Sequence, residues 1–298
     1  MMDQQPSVSH KTDSWLAPRV SRRSNRAIGV AGVSVFVLLL ILAAFPGQIA
    51  PYDPSERVGQ PMERPSDHFW LGTNDIGQDL FSELIWSTRA SLLTGLTVAA
   101  LAAGLGTLAG LIGGYRSGLS GALLFRLADL SLALPFLPLV ILLSAYLGPS
   151  RATVILVLTL ASWAGPARLV RSRVLTILSE PYIEAAHAIG CDARRILWRH
   201  IWPGVRAIAA VQFVLVANSS ILAEASLSFL GLGDPSAKSW GTMLYFARAS
   251  GAFIGRSWQW WVVPSGLMIT LTVLSLALIS YALEQRMEPT LKMRTSTR

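Results

Sequence analysis

Cysteine is nearly absent: Cys191 stands alone, so no intrachain disulfide can form. Charge is scarce as well, at 14% of 298 residues against 52% hydrophobic, about half the charged share of an ordinary soluble domain. The four histidines, His10, His68, His187 and His200, lie outside the long apolar runs, which leaves an intramembrane metal enzyme without ligands. His187, Cys191 and His200 are close in sequence, yet Gly190 interrupts them and a fourth ligand is missing, so no metal site is expected. No GxxxxGK[ST] segment occurs, and the chain therefore cannot hold ATP in the P-loop manner. A secondary transporter would need related halves or an ionisable residue at mid-span, and neither is found.

What the sequence does have is length in its apolar runs. Spans are predicted at about 27–48, 90–115, 124–148, 152–170, 207–233 and 258–283, each able to cross some 30 Å of hydrocarbon. The chain is thus an all-α polytopic membrane protein with six transmembrane helices inside a 27–283 membrane domain. Eighteen of the 25 Lys and Arg fall on one side when both termini are placed in the cytosol, and six on the other. The net charge of +8 is accordingly topological, and nucleic acid is excluded as a partner because the basic residues sit at span ends. A cleaved signal peptide is the bland reading of the first span. The basic leader of 26 residues and the long apolar run favour an uncleaved signal anchor instead. Residues 1–26 form a polar tail expected to be disordered, and 284–298 a cytosolic C-terminal tail.

Between the fourth and fifth spans lies a basic, patterned cytosolic loop, 171–204, which reads as two short helices. Ser179 caps the first, Pro181 sits in its opening turn and Gly190 ends it where positive φ is needed. Asp192 caps the second and Pro203 stops it. Ile183, Ala186 and Ile189 recur at helical spacing; Arg195 and Arg199 share one side of the second helix, Ile196 and His200 another. Periodicity alone leaves two readings open, a helix lying on acidic lipid or a knob for a groove on a partner protein.

Other residues stand out inside the spans. Pro135, Pro138, Pro166 and Pro264 are candidate kinks along a translocation path. Gly106, Gly110 and Gly114 have small-xxx-small spacing for close helix packing, with the neighbour undetermined. Trp258, Trp260 and Trp261 suggest an interfacial belt. Asp129 is expected to pair with Arg126 at i, i+3. Glu224, the lone carboxylate of the fifth span, is read either as structural or as a path residue meeting a cationic group.

The literal sequence narrows the choice. Glu184-Ala185-Ala186, then Gly190, then His200-Ile201-Trp202-Pro203 resembles the EAA loop of ABC importer permeases. FWLGTNDIGQDLFSELIWSTRASL (69–92), GYRSGLSGALLFRLADLSLALPF (114–136) and LAEASLSFLGLGDPSAKSWGTML (222–244) resemble segments of the C-type permease of dipeptide, oligopeptide and nickel importers. The resemblance implies a type I (MetI-like) importer fold, a second homologous permease as heterodimeric partner, one or two ATP-binding subunits carrying ATP and Mg, and an extracytoplasmic substrate-binding protein. It implies a non-enzymatic subunit of a prokaryotic inner-membrane importer, without a cofactor of its own, moving peptides or else nickel chelates or another small solute. By resemblance Glu184, Ala185, Ala186, Gly190 and Pro203 are coupling residues toward the ATPase, and Asp192, Arg195 and Ile196 join them from the reading of the two loop helices; Glu224, Pro135 and Pro166 stand as path candidates on the residue reading alone. Asn74, Gln78 and Glu83 depart from the family's usual Asp, Arg and Arg, and the ending ISYALEQRMEPTL departs too.

Overall fold

The computed structural model describes residues 22–115 and 118–287, and these form a bundle of helices. The remaining residues, including most of both tails and Arg116, lie outside the described part. Among the described residues no strand forms; Thr73 and Asp79 make one isolated antiparallel bridge. Helices α1 (Arg22–Ala44) and α2 (Pro46–Ile49) precede a long loop that ends in α3 (Leu80–Tyr115). Five helical segments are long and apolar enough to cross a membrane: Ala27–Ala44, Leu80–Tyr115, Arg151–Leu178, Ala193–Phe229 and Ser257–Gln285. Their outward faces carry exposed Leu101, Leu105, Leu108 and Leu267, as lipid requires of a bundle.

The third expected span differs from the others. In place of one helix over 124–148 there are two, α4 (Leu119–Ala133) and α5 (Phe136–Leu147), meeting at 94°. The cause is local: Pro135 forces Leu134 into extended backbone, φ −80° and ψ 138°, and supplies no N–H to continue α4. Prolines also spare the corner some of its cost. Of the four N–H groups that α5 would leave orphaned, Pro135 and Pro138 remove two.

Pro166 acts more gently. It cannot bond to the carbonyl four residues back, and the helix breaks there into α6 (Arg151–Ser162) and α7 (Ala164–Leu178) without a large bend. Pro264 produces no kink, because it falls in the first turn of α12 (Val262–Met287), where the missing donor is harmless. Between α7 and α12 lie α8 (Pro181–Ala188), α9 (Ala193–Ile196), α10 (Trp202–Phe229) and α11 (Trp240–Ala249).

Pro203 does not stop a helix as its sequence position suggests. Residues Leu197–Ile201 form a π turn in which the Trp202 N–H reaches the Leu197 carbonyl, and α9 runs through it into α10. One extra residue in the turn accommodates the proline ring, so the helix passes through. A single helical rod, Ala193–Phe229, results.

The glycine stripe of α3 packs within the chain, on α7. A Cβ at Gly106 would lie 2.5 Å from the Trp163 carbonyl oxygen and 2.7 Å from Pro166 Cβ; at Gly110 it would lie 2.6 Å from Val170 Cβ; at Gly114, 2.9 Å from Val174 Cβ. Only glycine admits so close an approach, and the stripe follows α7 from its broken start. At the other end of α3, Leu80, Leu84 and Leu92 join Ile221, Trp240 and Trp261 in the largest buried cluster.

Candidate functional site

Two opposite faces of the bundle carry the polar chemistry. On one of them α8 lies across the ends of α7 and the α9–α10 rod. Its backbone starts at Glu180, which occupies the N-cap position with φ −80° and ψ 136°, and Pro181 follows at the first helical position. Ser179 belongs instead to the end of α7, where its hydroxyl donates to the Thr176 carbonyl. The expected Ser179 cap is therefore replaced by an extended Glu180 with no side-chain cap.

The C-terminal end of α8 is as the sequence predicts. Gly190 has φ +79°, its N–H donates to the His187 carbonyl, and the Cys191 N–H reaches back to Ala186. These two bonds make a Schellman closure. Nothing lies within 4 Å of a Cβ at Gly190, so the requirement there is backbone conformation alone. Asp192 then begins α9 through its carbonyl, which accepts from the Ile196 N–H; its side chain makes no cap bond.

Burial divides α8 cleanly. Ile183 and Ala186 are buried, and Ile183 packs with Ile196, Ile201, Val205, Val174 and Ile177. Glu184, Ala185, Tyr182 and Ile189 are exposed, as are Arg194, Arg195 and Arg199 on the neighbouring turn. Ile189 thus leaves the apolar row that spacing assigns it, being carried outward by the Gly190 turn at 81% exposure. The structure so buries both Ala186 and Ile196, the latter packed with Ile183, and leaves Glu184, Ala185 and Arg195 as an outer surface. Pro203, also exposed, lies beyond the π turn at the start of α10.

On the opposite face, residues 55–83 fold back on themselves through glycine turns, and three residues singled out as departures meet there. Asn74 Nδ2 donates to Gln78 Oε1 at 3.0 Å and to Glu83 Oε2 at 3.1 Å. Lys238 Nζ reaches the same two acceptors, Gln78 Oε1 at 2.7 Å and Glu83 Oε1 at 3.1 Å. Gln78 Nε2 completes the set by donating to the Ser55 carbonyl. All of Asn74, Gln78 and Glu83 are buried, so the network is satisfied where an unpaired carboxylate would be costly.

Glu224 lies near the same face, buried in α10. Ser228 Oγ donates to Oε1 at 2.8 Å, and Ser91 Oγ, from α3, donates to Oε2 at 3.3 Å. The Ser91 hydroxyl also accepts the Trp240 N–H at the start of α11, so three helices converge on this carboxylate. Just beyond, Asp234 is held below the usual carboxylate range, chiefly by the Ser236 hydroxyl and further by backbone N–H groups of Ser236, Arg151 and Ala237.

A sequence model of the binding-protein-dependent transport system inner membrane component matches residues 106–293. The chain belongs to this family. The permease is 37% identical over 273 residues to the di/tripeptide transport system permease protein DppC of Pseudomonas aeruginosa, covering 89% of each chain. It is 36% identical over 275 residues to the glutathione transport system permease protein GsiD of Pectobacterium atrosepticum, covering 91% of the permease and 90% of the relative. A dipeptide transport system permease protein of Haemophilus influenzae is 32% identical over 273 residues, covering 89% and 90%. The MetI-like fold, the inner-membrane location and the role of a non-catalytic transport subunit follow from membership and from the apolar helices.

Two side-chain expectations are corrected by the permease structure. Asp129 pairs with Arg168 of α7 at 3.7 Å instead of with Arg126, joining neighbouring helices where an i, i+3 pair would only decorate one. Trp261 is buried in the largest cluster and Trp260 partly so, which leaves Trp258 as the exposed member of the supposed belt. No spacing rule can join Lys238 to Glu83, 155 residues away in the chain. Its one sequence signal was the run of departures at Asn74, Gln78 and Glu83, which remove expected cations and call for a cation from elsewhere.

Proposed function

We propose that this permease imports short peptides, pairing with a second homologous permease and driven by separate ATP-binding subunits that hold ATP and Mg. The substrate class is carried by the relatives, whose names specify dipeptides, tripeptides or glutathione, all short peptides. No cofactor of this chain is required for that role.

The observation that carries the coupling assignment is the division of α8 into two faces. An inner face with buried Ile183 and Ala186 is held to the α9–α10 rod through Ile183, while an outer face presents Glu184 and Ala185. A helix so clamped transmits a push to a membrane span; one floating on lipid does not. We place the 171–204 region in the cytosol with α8 in a groove of the ATPase, both termini on the same side, and loops 50–79 and 230–257 outside, facing an extracytoplasmic binding protein. Glu184, Ala185, Gly190, Asp192 and Arg195 contact or shape the groove side; Ala186, Ile196 and Pro203 link it to the rod. The second permease covers α4 and α5, whose Leu130, Leu134, Leu137 and Leu142 are exposed around the 94° corner. Pro135 and Pro166 supply breaks along the path between the two chains.

Glu184→Lys separates protein docking from lipid binding. A groove that accepts the carboxylate through charge-assisted hydrogen bonds rejects the lysine, so uptake is lost and the ATPase no longer co-purifies, while the permease pair stays assembled. On an anionic lipid surface the same change would add about 1 kcal/mol or more of attraction and leave uptake intact. Retained ATPase in a detergent pull-down together with normal peptide uptake would overturn the assignment.

A further inference from the structure

Three carboxylates, Asp79, Glu83 and Glu224, are buried on the outer side of this permease, and among them only Glu83 has an ion-pair partner within the described residues. Glu83, 1% exposed, is paired with Lys238. Glu224, 5% exposed, has hydroxyls around it and no ion pair among the described residues. A carboxylate carries about four lone-pair sites. Ser228, Ser91 and Ser239 occupy at most three of them, and one remains for a further donor.

That further donor has somewhere to come from. Glu224 lines a small cavity together with Thr94, Arg151, Asp234 and Ser239. Ala90, Arg151 and Ala237 belong at once to this cavity and to a larger cleft, open to the surface, bordered by Asp53, Trp86, Arg89 and Lys238. The small cavity thus adjoins the surface cleft across a wall of three shared residues. Arg89, Arg151 and Lys238 line the cleft, and the Glu224 carboxylate lies in the cavity beneath it.

We propose that Glu224 is the floor of a site for a primary ammonium group, with the α-amino end of a short peptide as its physiological ligand. The head of such a ligand donates to the free lone pair of Glu224, beside the Asp234 carboxylate, while Arg151 and Arg89 face its anionic portion in the cleft. Lys238 takes no part in this, since Gln78 and Glu83 hold its ammonium. The identity of the ligand as a peptide rests on the importer reading above; the ammonium preference of the site does not.

The test uses thiol reagents of different charge on the assembled transporter in proteoliposomes. Cys191→Ser removes the native thiol, and Ala237→Cys places one in the wall shared by cavity and cleft. The rate of 2-aminoethyl methanethiosulfonate relative to uncharged methyl methanethiosulfonate is measured from outside. With Glu224 present this ratio exceeds the ratio at Ile254→Cys, an outer-loop position 95% exposed and outside both cavities. Glu224→Gln lowers the ratio at Ala237→Cys about tenfold and leaves the Ile254→Cys ratio unchanged. Equal ratios at the two positions in the Glu224 protein, a comparison that survives any misfolding of the glutamine variant, would overturn the site, as would a ratio indifferent to Glu224→Gln. In a second arm, excess alanyl-alanine slows the aminoethyl reagent at Ala237→Cys and N-acetyl-alanyl-alanine does not. Charge preference without protection by alanyl-alanine would keep the ammonium site and reject the peptide as its ligand.

Discussion

Glu83 sits one turn into α3 with its carboxylate held by Asn74 and Lys238, so removing the lysine leaves a buried charge with a single amide donor. Breaking one partner of such a pair costs about 3–5 kcal/mol, whereas removing both charges costs far less. Lys238→Met should accordingly lower the thermal midpoint of the detergent-purified permease markedly. Adding Glu83→Gln to it should restore most of the loss, as followed by fluorescence-detected thermal aggregation; a double variant no better than the single one would show that the pair is not the reason. At this scale the sequence was partly legible. Glu224 announced itself as a lone carboxylate in an apolar run, and Gly190 as a helix terminator, because both signals are local. The pairing of Lys238 with Glu83 and of Arg168 with Asp129 was not, because each joins elements that only the fold brings together.

The same contrast holds for whole elements. Uncharged apolar runs marked the regions of the five long helices but gave one helix over 124–148 where two meet at 94°, and the glycine stripe of α3 announced a close contact without naming α7 as the neighbour. What spacing could not show was how each proline is accommodated. Pro135 makes a corner, Pro166 a soft break, Pro264 nothing, and Pro203 a π turn, four outcomes fixed by helix position and packing. Pro203 offers a direct test. Alanine would return an N–H to the Arg199 carbonyl, and the π turn would lose its cause. Closing it would rotate α9 by about 100° against α10, moving Ile196 off Ile183. Pro203→Ala should therefore insert and assemble normally while ATP hydrolysis becomes largely independent of substrate-loaded binding protein, measured as the ratio of stimulated to basal ATPase rate. A ratio equal to that of the parent would detach the π turn from coupling.

For the molecule as a whole, the proposed orientation can be read from a single thiol. Cys191, half-buried at the end of the Schellman closure and the one thiol in the chain, reports on it directly. A membrane-impermeant maleimide should leave it unmodified in intact cells and modify it in inverted vesicles stripped of the ATPase; modification in intact cells would reverse the proposed orientation. The 94° corner between α4 and α5 has a different consequence, one for the cell's accounts of its own proteins. The last carbonyls of α4 have no helical partner, and Leu134 contributes no N–H to cap them. In hydrocarbon such groups are costly until another surface satisfies them. If the second permease is what closes the corner, a copy synthesised without it is left with an unfinished membrane face, the kind of defect that membrane proteases recognise. Equal amounts of the two permeases would then be enforced by destruction of the surplus, with no need to match their rates of synthesis.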